Sequence, residues 1–465
     1  MTSKLFLQSA TAMAAVLLCL GQAQAADMPA PAPAPAATGP CKVAITFPAF
    51  GGVIKQNPDP ACFQTGIGEI YVGGAVTGYA YNYSERLPSF YTPVVPGQRD
   101  DRVARVDFSN VQAFIQKADG PLQFYVQTGL YSIPALGFPT FSAVDQTNLL
   151  FGPLPVVFGK WQINDEWSVQ GGRMPTNIGS ELAFTFQNLN ISRGLLFNQE
   201  NIVNQGVQIN YSSGPLSASF AVTDGFYSGE LNWVTGAVVY KLDDANTIGI
   251  NGGTHFSSYN NVNQPNRFYY ATPLTLQNSS IVSANYTYSA GPWIVTPYIQ
   301  YTNVERNNVL GLAGAETFGG ALLASYAFTD NFALAGRFEY ITQSGSRFNP
   351  FGQTNVLYGA GSSAYSFTVT PTFTWDRYFI RGEYSHVELV DFTAGLGFGP
   401  AAERREAPGR VAMAVESGRR LRERAPGGDE GRRAVRAVAE DAPVPAGGSG
   451  GGAGTRCLWG TGSTP

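Results

Sequence analysis

The sequence predicts an all-β protein, a transmembrane antiparallel up-and-down β-barrel of about 16 strands. Three observations carry this. Only 13% of residues are charged, aromatics also reach 13%, and there are 54 glycines; the charged share is about half that of ordinary globular chains. Mean hydropathy is -0.06, too polar for a bundle of membrane helices. From Ile67 onward, apolar and polar residues alternate in runs of eight to fifteen, the period of a strand with one apolar and one polar face.

The chain opens with export features. Lys4 precedes the apolar run Leu5 to Gly21, and Ala23-Gln24-Ala25 follows as a cleavage site, so residues 1–25 read as a signal peptide. Residues 26–66 begin with alternating Pro and Ala, an extended linker. Cys41 and Cys62 lie in this segment, and a disulfide between them suits an oxidising periplasm. No later stretch holds the roughly 18 consecutive apolar residues of a spanning helix.

Residues 67–399 read as the barrel. Fifteen strands start near Ile67, Val103, Leu122, Val156, Trp167, Gln205, Leu216, Leu231, Thr247, Ser280, Trp293, Thr317, Phe332, Ser363 and Arg377. In the run 365–375, Tyr, Phe, Val, Pro, Phe and Trp alternate with Ser and Thr. Trp and Tyr recur at strand ends, as in aromatic girdles around a wet lumen. Short turns such as Ser212-Ser213-Gly214-Pro215 and Ser289-Ala290-Gly291-Pro292 carry residues that favour tight reversals. Between them fall connections that are nearly all longer, at 82–102, 133–155, 175–204, 225–230, 257–279, 306–316 and 346–362. Short turns on one side and long loops on the other are the outer-membrane arrangement.

The connection 175–204 stands apart. Pro175 stops the preceding strand, because proline lacks the N–H a ladder needs. Leu182, Phe184, Phe186, Leu189, Ile191, Leu195, Leu196 and Phe197 follow, among Glu181, Arg193 and Glu200. A loop this long and apolar needs a surface to pack on. Gly171-Gly172 just before it suggests a bulge, which leaves the phase of Arg173 open.

Closure needs an even strand count, so a sixteenth strand should follow the fifteenth. Residues 400–465 instead hold 11 of the 23 arginines, no lysine and one aromatic, Trp459. The last strand therefore reads as missing or altered. The tail fits a basic disordered extension, or text from a shifted reading frame in GC-rich DNA. The second is preferred, because the tail stands where the closing strand belongs.

Three runs carry a resemblance: Gly172 to Glu181 (GRMPTNIGSE), Asn190 to Phe197 (NISRGLLF) and Gln205 to Tyr211 (QGVQINY). Together they resemble the OmpL-like β-barrel porin family, over roughly Ile67 to Leu389. Pro175 precedes Thr176 rather than following it, and Gly194 stands where that family usually has Ser. The resemblance implies a porin of the Gram-negative outer membrane, passing small hydrophilic solutes passively. In porins of sixteen strands the third outer loop folds inward, and 175–204 is third here. Glu181 and Glu200 would then face the pore axis. Arg193 would flank them, and Arg105, Lys160, Arg337 and Arg381 would face them from the wall. Acids opposite bases set up a transverse field that sorts solutes by charge. Ordinary wall ion pairs, Arg105 with Asp107 and Arg337 with Glu339, are the plainer alternative.

Outer-membrane lipid and lipopolysaccharide would surround such a barrel, and the reading leaves room for a homotrimer. Neither a cofactor nor nucleic acid is implied. Enzyme readings have little to stand on: the histidines are His255 and His386, and neighbouring Ser385 and His386 would point to opposite faces of a strand. The second reading is a barrel that serves as structural anchor or adhesin without a conducting pore.

Overall fold

The computed structural model describes residues 60–85, 103–258, 276–309, 311, 313–348, 356–398 and 409–421. These form seventeen strands in one antiparallel sheet. A short β1 (Ala61–Thr65) precedes sixteen strands that close a barrel. The first eight are β2 (Gly68–Tyr83), β3 (Ala104–Lys117), β4 (Leu122–Tyr131), β5 (Val156–Gln162), β6 (Trp167–Pro175), β7 (Val203–Ser213), β8 (Leu216–Thr223) and β9 (Trp233–Lys241). The rest are β10 (Asn246–His255), β11 (Ser279–Ala290), β12 (Trp293–Val304), β13 (Ala315–Ala327), β14 (Phe332–Gln343), β15 (Ser363–Trp375), β16 (Tyr378–Asp391) and β17 (Arg410–Leu421). Each strand pairs with the next, and β17 pairs back onto β2. Closure leaves no open edge along the wall, which lipid would not tolerate. A short helix, α1 (Ala143–Leu149), sits in the second outer connection, and Ser142 caps it by accepting from the Asp145 N–H.

The fifteen strands expected from alternation are β2 to β16. The closing strand is not missing: β17 lies inside the segment read as tail, so the barrel extends past residue 399 to Leu421. Met413 and Val415 are exposed on its outer face, while Ala412, Ala414 and Glu416 are buried on its inner face. Its alternation uses small inward residues amid Arg-rich surroundings, so composition hid the period. β1 was also unforeseen, and lies in the segment read as linker. It pairs with Gly68 to Val72, on the edge of β2 that β17 takes from Gly74 to Tyr83. Cys62, on β1, is disulfide-bonded. Cys41, residues 1–25, read as a signal peptide, and residues 422–465 lie outside the described residues.

The outer face is the apolar one. Val106, Val207, Phe220, Ile250, Phe318, Phe338 and Ile380 are exposed there. Aromatic pairs ring the short-turn end, Trp167 with Tyr211 at 4.7 Å and Trp293 with Tyr326 at 4.6 Å between ring centroids. No bulge forms at Gly171-Gly172: the β5–β6 ladder runs unbroken, so Arg173 shares the outward phase of Trp167 and Val169. Register instead breaks on β16, where Ser363 pairs with Asp391 and Ala364 with Leu389, and on β3. On β3 it shifts where Thr77 pairs with Asn110 and Gly78 with Phe108. Ser109 and Asn110 consequently both turn inward and are fully buried.

Candidate functional site

β6 ends at Pro175 and β7 begins at Val203, and the chain between them runs into the lumen. Two single turns of 3-10 helix, Thr185–Gln187 and Leu196–Gln199, give it local form. Its apolar side chains fall in four clusters, of which two hold most of them. Phe184, Phe186 and Phe197 pack with Phe114, Tyr125 and Tyr131. Leu189, Leu195 and Leu196 pack with Tyr298, Leu323 and Val387. The loop thus reaches from its own strands across to the opposite wall, and its apolar face is buried there.

Polar contacts fix the same crossing. On β14, Arg337 Nη1 lies 2.6 Å from Glu181 Oε1 and donates to the Ser192 carbonyl oxygen at 2.7 Å. Two residues on, Glu339 accepts the backbone N–H groups of Leu195 at 2.9 Å and Leu196 at 3.3 Å. On β16 the arrangement repeats. Arg381 donates to the carbonyl oxygens of Asn188 at 3.0 Å and Thr185 at 2.7 Å. Glu383 accepts the N–H groups of Ile191 at 2.5 Å and Ser192 at 3.0 Å. Residues i and i+2 share a strand face, so each Arg-x-Glu presents one donor fork and one acceptor to the loop backbone. Charged groups make shorter and stronger hydrogen bonds than neutral ones, and here they satisfy backbone groups that water cannot reach.

The closing strand and the β3 bulge complete this frame. Glu416 on β17 pairs with Arg381 at 2.5 Å and accepts from Thr185 Oγ1 and Ser109 Oγ, each at 2.5 Å. Asn110 donates to Thr185 Oγ1 at 2.6 Å. Within the loop, Arg193 is fully buried and donates to the carbonyl oxygens of Asn190 at 2.6 Å and Ile191 at 2.8 Å; its Nε lies 3.8 Å from Glu181. Its backbone N–H and C=O bond Pro134 O and Leu136 N, joining the second outer connection to the loop. At Gly194 a Cβ would overlap the Glu339 carboxylate. That close approach explains the glycine at this position.

The residues expected at the constriction fall into different surroundings. Glu181, Arg193, Arg337 and Arg381 are brought together and buried; Glu181 engages Arg193 and Arg337, and Arg381 engages Glu416. Glu200 is buried 2% exposed, and neither oxygen meets a partner among the described residues. Burial first, then the nearby Glu181 and Glu339 charges, hold its carboxyl well above the ordinary range. Arg105 bonds Tyr81 Oη at 3.1 Å and lies 4.0 Å from Asp107. Arg337 also lies 3.3 Å from Glu339. Lys160 is half-buried on the far side of the lumen, in register with Gln170 and, beyond it, Gln208. Sequence reasoning overlooked Glu383 and Glu416, and took Glu339 only as a partner for Arg337. The usable signal was the repeated Arg-x-Glu on the polar face of two nearby strands.

A family model described as "Putative beta-barrel porin-2, OmpL-like" matches residues 69–406. No curated protein matches the chain. Solved structures with a similar course include an anion-selective porin from Comamonas acidovorans, at 12% identity and a TM-score of 0.49, over 76% of this chain and 99% of that one. Outer-membrane expressed OmpT of Vibrio cholerae aligns at 10% identity and 0.47, over 77% and 100%. OccK5 of Pseudomonas aeruginosa aligns at 10% and 0.37, over 75% and 98%.

Proposed function

The chain belongs to the OmpL-like β-barrel porins, and from that premise we propose that small hydrophilic solutes diffuse passively through its barrel, past the inward third outer loop. It is a protein of the outer membrane. Lipid and lipopolysaccharide around the apolar band, and assembly as a homotrimer, belong to the same proposal. So does the absence of catalysis: His386 Nε2 meets Glu388 at 3.0 Å and Ser385 is buried on the opposite face.

One observation carries the route. Inward side chains that meet the loop on β14 to β17 are buried, among them Thr370, Glu339, Glu383 and Glu416. Across the lumen, Lys160, Gln170, Gln208, Asn210 and Ser219 stay partly exposed. Their amides and hydroxyls can exchange hydrogen bonds with a hydrated solute, and Lys160 adds one positive charge without an ion-pair partner among the described residues. Passage along this arc supports hydrophilic solutes with a lean toward anions.

The dense packing of the loop favours a second reading, a barrel that anchors or adheres without conducting. Planar-bilayer recording of the purified protein separates the two. Discrete channels with a reversal potential displaced toward anions support the porin, and silence supports the anchor.

A further inference from the structure

Glu200 is the loop acid that the Arg-x-Glu contacts leave out. Neither of its carboxylate oxygens has a partner among the described residues, and the same holds for both side-chain polar atoms of Asn201, 1% exposed. The two residues border one cavity, shared with Gln127, Phe184 and Gln187. Glu200 also borders a second cavity, with Gln146 and Asn198. Gly179, at φ 81, packs so closely that a Cβ would overlap the Glu200 carboxylate.

A buried carboxylate without a partner takes up a proton or is met by a cation. The titratable groups that act on Glu200 are Glu181 and Glu339, both acids, and Tyr298. The nearby arginines are engaged elsewhere: Arg337 with Glu181 and Glu339, Arg193 with Glu181 and loop carbonyls, Arg381 with Glu416. Glu181, Glu200 and Glu339 against Arg193 and Arg337 leave one negative charge uncompensated. Carboxylate and amide oxygens are ligands of hard cations.

We propose that Glu200 and Asn201 hold a hard metal cation, Ca²⁺ or an alkali-metal ion, in the cavity between the loop and the wall. The cation takes the place of the carboxyl proton, so binding releases a proton and strengthens as pH rises. It would fix the descending arm of the loop, 197–202, where the Arg-x-Glu contacts end.

The test uses the full-length protein in detergent, stripped with a chelator, with CaCl2 and KCl as separate probes in calorimetry and thermal unfolding. One of the two ions binds saturably at one site per chain, with release of a proton, and raises Tm as its concentration rises. Glu200→Gln abolishes both effects, and Asn201→Ala weakens binding about tenfold. If the wild-type protein binds neither ion, the carboxyl is held as an acid and the proposal fails. Binding that persists undiminished in Glu200→Gln also overturns it. Should that variant not fold, binding that persists undiminished in Asn201→Ala overturns the proposal instead.

Discussion

Arg337 places one nitrogen, Nη1, within 2.6 Å of Glu181 Oε1 and 2.7 Å of the Ser192 carbonyl oxygen. A wall strand thereby grips the loop by a side chain and by the backbone at once. Both ionised groups are buried, so removing one strands the other. Arg337→Met is expected to lower stability by about 3–5 kcal/mol. The double variant Arg337→Met/Glu181→Gln should cost less than the two single changes added together. Urea unfolding of the refolded barrel measures both, and strict additivity would mean that the pair is not coupled.

Gly194 gives a sharper test of the same crossing. A Cβ there meets the Glu339 carboxylate, whereas at Gly159 on β5 it meets open space. Gly194→Ala should destabilise by about 1–3 kcal/mol, the usual range for overpacking. Gly159→Ala should stay near zero in the same assay. Equal effects at the two sites would place the loop backbone farther from Glu339 than 194 and 339 require.

Glu200 predicts a pH dependence of defined sign. Burial, with Glu181 and Glu339 adding to it, raises its carboxyl in the folded state. The unfolded chain releases that proton above about pH 4.3. The folded protein keeps it, so stability in chelated buffer falls as pH rises from there through the folded value. Glu200→Gln removes that slope. A slope that is the same in variant and wild type would assign it to another group.

The closing strand turns an apolar face outward. Met413 is exposed on the outer face of β17, beside strands whose outer faces are apolar. Met413→Arg should cost about 2–4 kcal/mol if the residue sits near the bilayer midplane. A protein that closes without residues 410–421 would be indifferent to this change, in both unfolding and membrane assembly.

Much of this architecture was legible in the sequence, because period 2 is a local signal. All fifteen strands from β2 to β16 could be placed from alternation and turn residues. β17 could not, since Ala412 and Ala414 line its inner face and supply little contrast with their neighbours. β1 is five residues long, too short for a period to show. The inward loop was legible from its apolar content, but its partners were not. Glu383 and Glu416 act on residues more than 190 positions away, and no spacing rule reaches that far. The expected transverse field set loop acids against wall bases across the pore, whereas the fold pairs Glu181 with Arg337 and Arg381 with Glu416.

The central claim, a water-filled route on the side of the lumen opposite the wall that grips the loop, is tested most directly by thiol accessibility during single-channel recording. Ser219→Cys lies on the partly exposed arc, and Thr368→Cys on the buried side, where Thr368 accepts from Arg337. The account predicts that a charged thiol reagent lowers the conductance of the Ser219→Cys channel within seconds and leaves that of Thr368→Cys unchanged. Block at Thr368→Cys with none at Ser219→Cys would contradict it.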